Sequence, residues 1–369
     1  VNRFFISGLL LAGLSGLVSP KAAADEWALA LPGWKYEFPR DHHAHPEFKT
    51  EWWYFTGNLT GDDGRDYGYQ LTFFRQGVQR KAEPGTRFAV GDVKLAHFAV
   101  TEVSGGRFHY AQKVSRGAFG EAGFAEGDRV AWIDDWELRV REGGGFVLQA
   151  RDDKFALELT LIPRKPPIFH GADGVSQKSA GEGRASHYYS LTRLEAEGRL
   201  VIEGRAVAVK GWSWFDQEWA TNQLTEDQTG WDWLSLQFED GTELMLFQIR
   251  LKDGGRDPFS HGTWIDAKGA STAVKHEDFE LLPGRTWRSK DTGGDYPVEW
   301  AVRIPKLDLE VTVKAALDGQ ELVLRPISYW EGSVRAVGSR GGQAIGARGY
   351  LEMTGYGGGL VGLQAPETR

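Results

Sequence analysis

The 369-residue sequence contains no cysteine. That absence excludes disulfides, thiolate metal sites, cysteine nucleophiles and a lipidated-cysteine anchor together, so stability has to come from packing. Neither G-x-S-x-G nor G-x-x-x-x-G-K-[ST] occurs, which removes the nucleophile elbow and the phosphate-binding loop. Residues 357–362 fit G-x-G-x-x-G in form, but they have no helix to follow and read as a tail. An excess of basic charge is missing too: the formal net charge is −8, a poor basis for binding nucleic acid.

Long apolar runs are confined to the N-terminus. Arg3 gives a basic start, Phe4 to Val18 is apolar, and Ala22, Ala23 and Ala24 form a small-residue cleavage site. The run is shorter than the roughly 20 residues of a membrane span. Residues 1–24 are therefore expected to be a signal peptide, and the mature protein to be periplasmic or secreted, with no integral membrane segment.

What the sequence does have is aromatic and glycine residues, with 15 Trp and 48 Gly. Short segments rich in Trp, Tyr, Phe and Val alternate with Gly-containing turns and show no long helical period. That pattern predicts an all-β protein. His45 to Arg75 reads as a hairpin around the turn Gly61 to Gly64. An echo follows at Gly230 to Arg250, in which Trp233 takes the place of Trp53 and Arg250 that of Arg75. Aromatic pairs (Tyr188 and Tyr189, then Tyr329 and Trp330) precede matching Gly-rich exit strands in both halves. Two tandem antiparallel barrels, residues 25–224 and 225–369, explain matching first hairpins and last strands better than a single propeller does. Residues 163–183, rich in Pro and Gly, read as a long loop or lid. The lead-in holds Asp41, His42, His43 and His45, where solvated histidines are expected rather than a metal site; His45 abuts the hairpin and is retained as a candidate.

The motifs EWWYFTG (Glu51 to Gly57), YQLTFFR (Tyr69 to Arg75), GWSWFDQEW (Gly211 to Trp219), GWDW (Gly230 to Trp233), YWEGSV (Tyr329 to Val334) and GYLEMTGY (Gly349 to Tyr356) run in order through the chain. Together they resemble the AttH-like and carotenoid 1,2-hydratase (hydroxyneurosporene synthase) family. The resemblance implies two lipocalin-like β-barrels and a function directed at hydrophobic, isoprenoid- or lipid-like molecules. It also implies hydration of a carbon–carbon double bond without an organic cofactor. One position departs from the family: Gln217 stands between the two acids of WFDQEW, where many relatives carry His.

Hydrating an alkene needs a proton donor, shelter for a carbocation and a water. A carboxyl among apolar rings supplies the first, and indole faces supply the second. Asp216, Glu218 and Asp232 are the candidate acids. Trp212, Trp214, Trp231 and Trp233 are candidate walls, and His45, Glu51, Trp53, Tyr54, Arg75 and His97 complete the candidate ligand-binding set. No metal or cofactor is expected. The rival reading is a non-catalytic periplasmic carrier serving a transport system. An enzyme requires one of these acids to be buried, cavity-facing and free of an arginine, whereas a carrier requires them to be tied into structural ion pairs.

Overall fold

A computed structural model describes residues 26–80, 90–222, 224–325 and 327–358. The expected signal peptide and part of the Gly-rich tail lie outside them. Nearly all regular structure is β, as expected. No helix among the described residues is long and apolar enough to cross a membrane.

The first hairpin, Thr50–Gly61 with Asp66–Gly77, sits mid-sheet, because Thr50–Gly61 also pairs along its length with Arg205–Ala220. From there one antiparallel sheet extends both ways, to Arg107–Ser115 at one end and Ala122–Phe124 at the other. It curls into a nearly closed barrel. The second hairpin, Gln228–Phe238 with Glu243–Leu251, is flanked by Gln343–Met353, which in turn pairs with Tyr329–Arg340. This second sheet curls into a half-barrel. The two sheets form the tandem lipocalin-like arrangement expected from the motifs.

Side-chain alternation decides what each sheet faces. In the first hairpin Trp53, Phe55, Leu59, Leu71 and Phe73 fill the first barrel, while Tyr54 joins a cluster with Trp214, Trp233, Phe247 and Tyr350 between the sheets. In the second hairpin Leu234, Leu236 and Phe238 fill the half-barrel and Trp233 faces the junction. Both hairpins are thus covered on both faces, as their bulky residues require. Each fully buried Leu, Phe or Ile contributes about 1.5–3 kcal/mol by leaving water.

The residues predicted as a loop or lid, 163–183, instead strap the barrels together. Ile168–Phe169 and Val175–Gln177 pair with the long strand Ala185–Ile202. Lys165 Nζ donates to Glu243 Oε2 at 2.6 Å, and His170 bridges Ser190 and Thr263 at 2.6 and 2.8 Å. Elsewhere the barrels touch closely: a Cβ on Gly68 would come 2.8 Å from that of Ser333. Asn58, in form a glycosylation sequon, is part of the same junction and donates to Gly349 O at 3.0 Å.

Candidate functional site

A cavity of about 250 Å³ lies between the two sheets. The first sheet contributes Trp52, Tyr54, Phe74, Arg75, His97, Asp216 and Glu218; the second contributes Trp231, Trp233, Phe247, Tyr329, Glu331 and Glu352; the strap contributes Lys178. Register explains the grouping. Asp216 is level with Tyr54, which is level with Thr72, which is level with His97, so this row crosses four adjacent strands on one face. At about 4.8 Å per strand, Asp216 and His97 stand at opposite ends of a floor about 14 Å long.

Asp216 is 3 % exposed. Its carboxylate accepts from Tyr188 Oη and Trp214 Nε1, both at 2.6 Å, and from Ser190 Oγ. Burial raises its pKa to about 7 against those three donors. Among the described residues no lysine or arginine forms an ion pair with it. Glu218, two residues on and on the same face, differs: Lys178 Nζ lies 3.1 Å away and Ser186 Oγ donates to it. Lys178 is also held over the Phe247 ring at 4.1 Å.

The second sheet supplies an acidic pair that the sequence reading did not single out. Glu331 and Glu352 are direct cross-strand partners. Glu331 Oε1 accepts from Tyr54 Oη at 2.5 Å. Burial, and then the charge of Glu352, push the Glu331 pKa well up. Burial raises Glu352 to about 8 against a hydrogen bond from Trp231, with the charges of Glu218 and Asp216 adding to the rise. At the far end, burial lowers the His97 pKa to about 3, so the ring is neutral. It contacts Tyr329 Oη at 2.7 Å and Gln112 Nε2 at 2.9 Å.

The candidates therefore divide. Asp216, Glu218, Tyr54, Arg75, His97, Trp231 and Trp233 line the cavity, and Trp214 stands behind Asp216 as a donor. Trp53 is inside the first barrel, with Nε1 donating to His42 O at 2.9 Å, and Trp212 is 39 % exposed beside Arg193. Asp232 faces the half-barrel interior, paired with Arg250 and accepting from Gln248 Nε2 at 2.9 Å. That pair is the structural link an enzyme acid must lack. His45 and Glu51 are likewise structural. His45 Nδ1 meets Glu51 Oε1 at 2.6 Å, its ring stacks on Trp219 at 3.8 Å, and Arg75 Nε approaches Glu51 Oε2 at 3.4 Å. The lead-in histidines are not solvated as a group: His45 is 5 % exposed and His42 meets Tyr189 Oη at 2.7 Å.

Gln217 also points into the first barrel, donating to Glu51 Oε1 and accepting from Tyr189 Oη at 2.8 Å. Strand alternation places a residue at 217, whether Gln or His, on the face opposite Asp216 and Glu218.

The sequence model of the AttH-like family matches residues 29–356. The chain belongs to the AttH-like family. A solved structure from Nitrosomonas europaea assigned to AttH is 35% identical, with a TM-score of 0.80 over 89% of this chain and 99% of that one. Kievitone hydratase from Nectria haematococca shares the fold at 14% identity, with a TM-score of 0.69 over 90% of this chain and 96% of that one. Dehydratase asqC of Emericella nidulans is 24% identical over 182 residues, 47% of this chain and 50% of that protein. The chain thus spans about half the length of that curated relative. In this AttH-like chain the signal for the missed acids was present, since Glu331 and Glu352 lie in the YWEGSV and GYLEMTGY motifs.

Proposed function

We propose that this protein is a secreted, cofactor-free hydro-lyase that adds water to a carbon–carbon double bond, or forms that double bond by removing water from the alcohol, in an apolar, isoprenoid- or lipid-like molecule held between the two barrels. The observation that carries the reading is Asp216, a buried, cavity-lining carboxyl satisfied by three neutral donors rather than a cation. A group so placed exchanges a proton near neutrality. Around it Trp231, Trp233, Tyr54 and Phe247 present ring faces and edges able to shelter developing positive charge. Membership of a family that includes a dehydratase relative supports the same class of chemistry.

Native mass spectrometry of the purified protein identifies the retained apolar compound, and product analysis follows whether its mass changes by one water. Wild type is expected to interconvert the two species, and Asp216→Asn to do so at least about 100-fold more slowly. Retention of a compound that wild type leaves unchanged would favour the carrier.

A further inference from the structure

We propose that Glu331 and Glu352 do not ionise together and that the proton held on the pair makes it the acid of this site, with Asp216 on the opposite barrel as its base. The inference rests on the hydro-lyase reading for its catalytic half only.

The geometry begins with register. Two glutamates placed directly opposite on adjacent strands bring their Cβ atoms to about 5 Å, where two negative charges repel. Neither forms an ion pair with a lysine or arginine among the described residues. The two cations at the cavity are committed elsewhere, Lys178 to Glu218 and Arg75 to Glu51. Glu331 is fully buried, and its Oε2 has no hydrogen-bond partner among the described residues although its Oε1 accepts from Tyr54. A buried carboxylate oxygen without a donor is costly; a proton on the pair removes that cost and leaves an O–H at the cavity.

The titratable groups around the pair are consistent with this. Tyr54, on the first hairpin, keeps its proton and donates a hydrogen bond to Glu331 Oε1. Tyr329 and Tyr350, on the pair's own strands, stay neutral, as does His97 beyond Tyr329. Asp216 and Glu218, from Arg205–Ala220, add negative charge that favours retention of the proton. The arrangement is the known pattern of two like charges that cannot both ionise.

The step balances. The O–H of the pair gives its proton to one alkene carbon, and the adjacent carbon becomes cationic. Water bonds to that carbon and its surplus proton goes to the Asp216 carboxylate. After product leaves, the proton returns from Asp216 to the pair through water. Dehydration is the same sequence reversed.

Retention of a proton on the pair is measured without a substrate. Urea denaturation from pH 5 to 8 is compared between wild type and the isosteric double variant Glu331→Gln/Glu352→Gln. Each proton that the pair keeps when folded and loses when unfolded makes the wild-type folding constant fall, relative to the variant, about tenfold per pH unit, so a fall of about ten- to a hundredfold per unit is expected in this window. Parallel curves, which mean that both glutamates ionise in the folded protein as they do in the unfolded one, would overturn the proposal. The acid role is tested on the compound retained by the protein. Glu352→Gln is expected to remove the alkaline limb of kcat/KM, and an unchanged limb would overturn the assignment. If wild type converts no retained alkene or alcohol, the hydro-lyase reading and the acid role fall together, while the proton count still stands on the denaturation data.

Discussion

Glu51 and Asp232 hold the same place in two copies of one hairpin. Each is fully buried, each points into its own barrel, and each meets an arginine from the partner strand, Arg75 for Glu51 and Arg250 for Asp232. Matching those ion pairs puts Trp52 level with Trp233, and both indoles line the cavity with a glutamate beside them on the next strand, Glu218 for Trp52 and Glu352 for Trp233. The duplication therefore extends to the cavity wall.

Asp232→Asn accordingly tests architecture, not chemistry. Removing one charge of a buried pair leaves Arg250 uncompensated, at a cost of about 3–5 kcal/mol. Urea denaturation is expected to register that loss, with turnover per folded molecule within about twofold of wild type. A variant of normal stability but negligible turnover would return Asp232 to the list of acids.

This equivalence also shows what could be read from the sequence. The all-β class, the tandem barrels and the motif-rich hairpins followed from composition, alternation and the echo. The echo read from identical indoles, Trp53 on Trp233, is one residue out, since Trp53 faces the first barrel and Trp233 the junction. In a strand a shift of one residue exchanges the faces, and Asp232 reads as a carboxyl among indoles because Trp231 and Trp233 flank it in sequence, although its own side chain faces the half-barrel. Arg250 stands opposite Gly230 and reaches diagonally to Asp232 across the space that the missing side chain leaves, since a Cβ on Gly230 would come 2.6 Å from Arg250 Nη2, and no local pattern announces it. Lys178 was hidden for another reason: a Pro- and Gly-rich stretch reads as a loop whether it covers a site or straps two barrels.

His45 is expected to make stability depend on pH. Burial opposes its charged form, but Glu51 and Asp41 outweigh burial and raise its pKa to about 9. A raised pKa means the contribution is full below the unfolded value near 6.5 and is lost as pH rises through about 9. The two carboxylates, both held below their usual range, lose their own contribution as pH falls through their folded values. His45→Gln should therefore cost about 3–5 kcal/mol near pH 6 and less above pH 9, as read from denaturation at the two pH values. An equal cost at both would mean that His45 acts by packing on Trp219 alone.

Asp216 carries the opposite trade. Its pKa is raised to about 7, so its ionisation works against folding progressively between the unfolded value near 3.9 and about 7. Asp216→Asn should match wild type in thermal stability near pH 4 and melt higher at pH 8, while losing activity. Tyr188→Phe, which removes a donor to the carboxylate at 2.6 Å, should move the acid limb of kcat/KM upward from about pH 7. A melting temperature for Asp216→Asn below wild type at pH 8 would show that the three donors, rather than burial, dominate the site.

The cavity's affinity for positive charge can be tested with a cation that is stable in water. A carbocation and a protonated tertiary amine present the same charge to the same walls, and N,N-dimethyldodecylamine carries that charge on an apolar chain. Trp231 and Trp233 line the cavity beside Asp216, Glu218 and Glu352. Calorimetry should show the amine binding more tightly than dodecanol, which has the chain without the charge. Replacing Trp231 by Leu removes the ring and should weaken amine binding by about 1–2 kcal/mol, roughly five- to thirtyfold, with little change for the alcohol. Trp231→Phe keeps a ring but loses the N–H that bonds Glu352, and should retain most of the preference. If Leu and Phe weaken both ligands equally, the indole is a wall and nothing more, and charge stabilisation in this site has to come from the carboxylates alone.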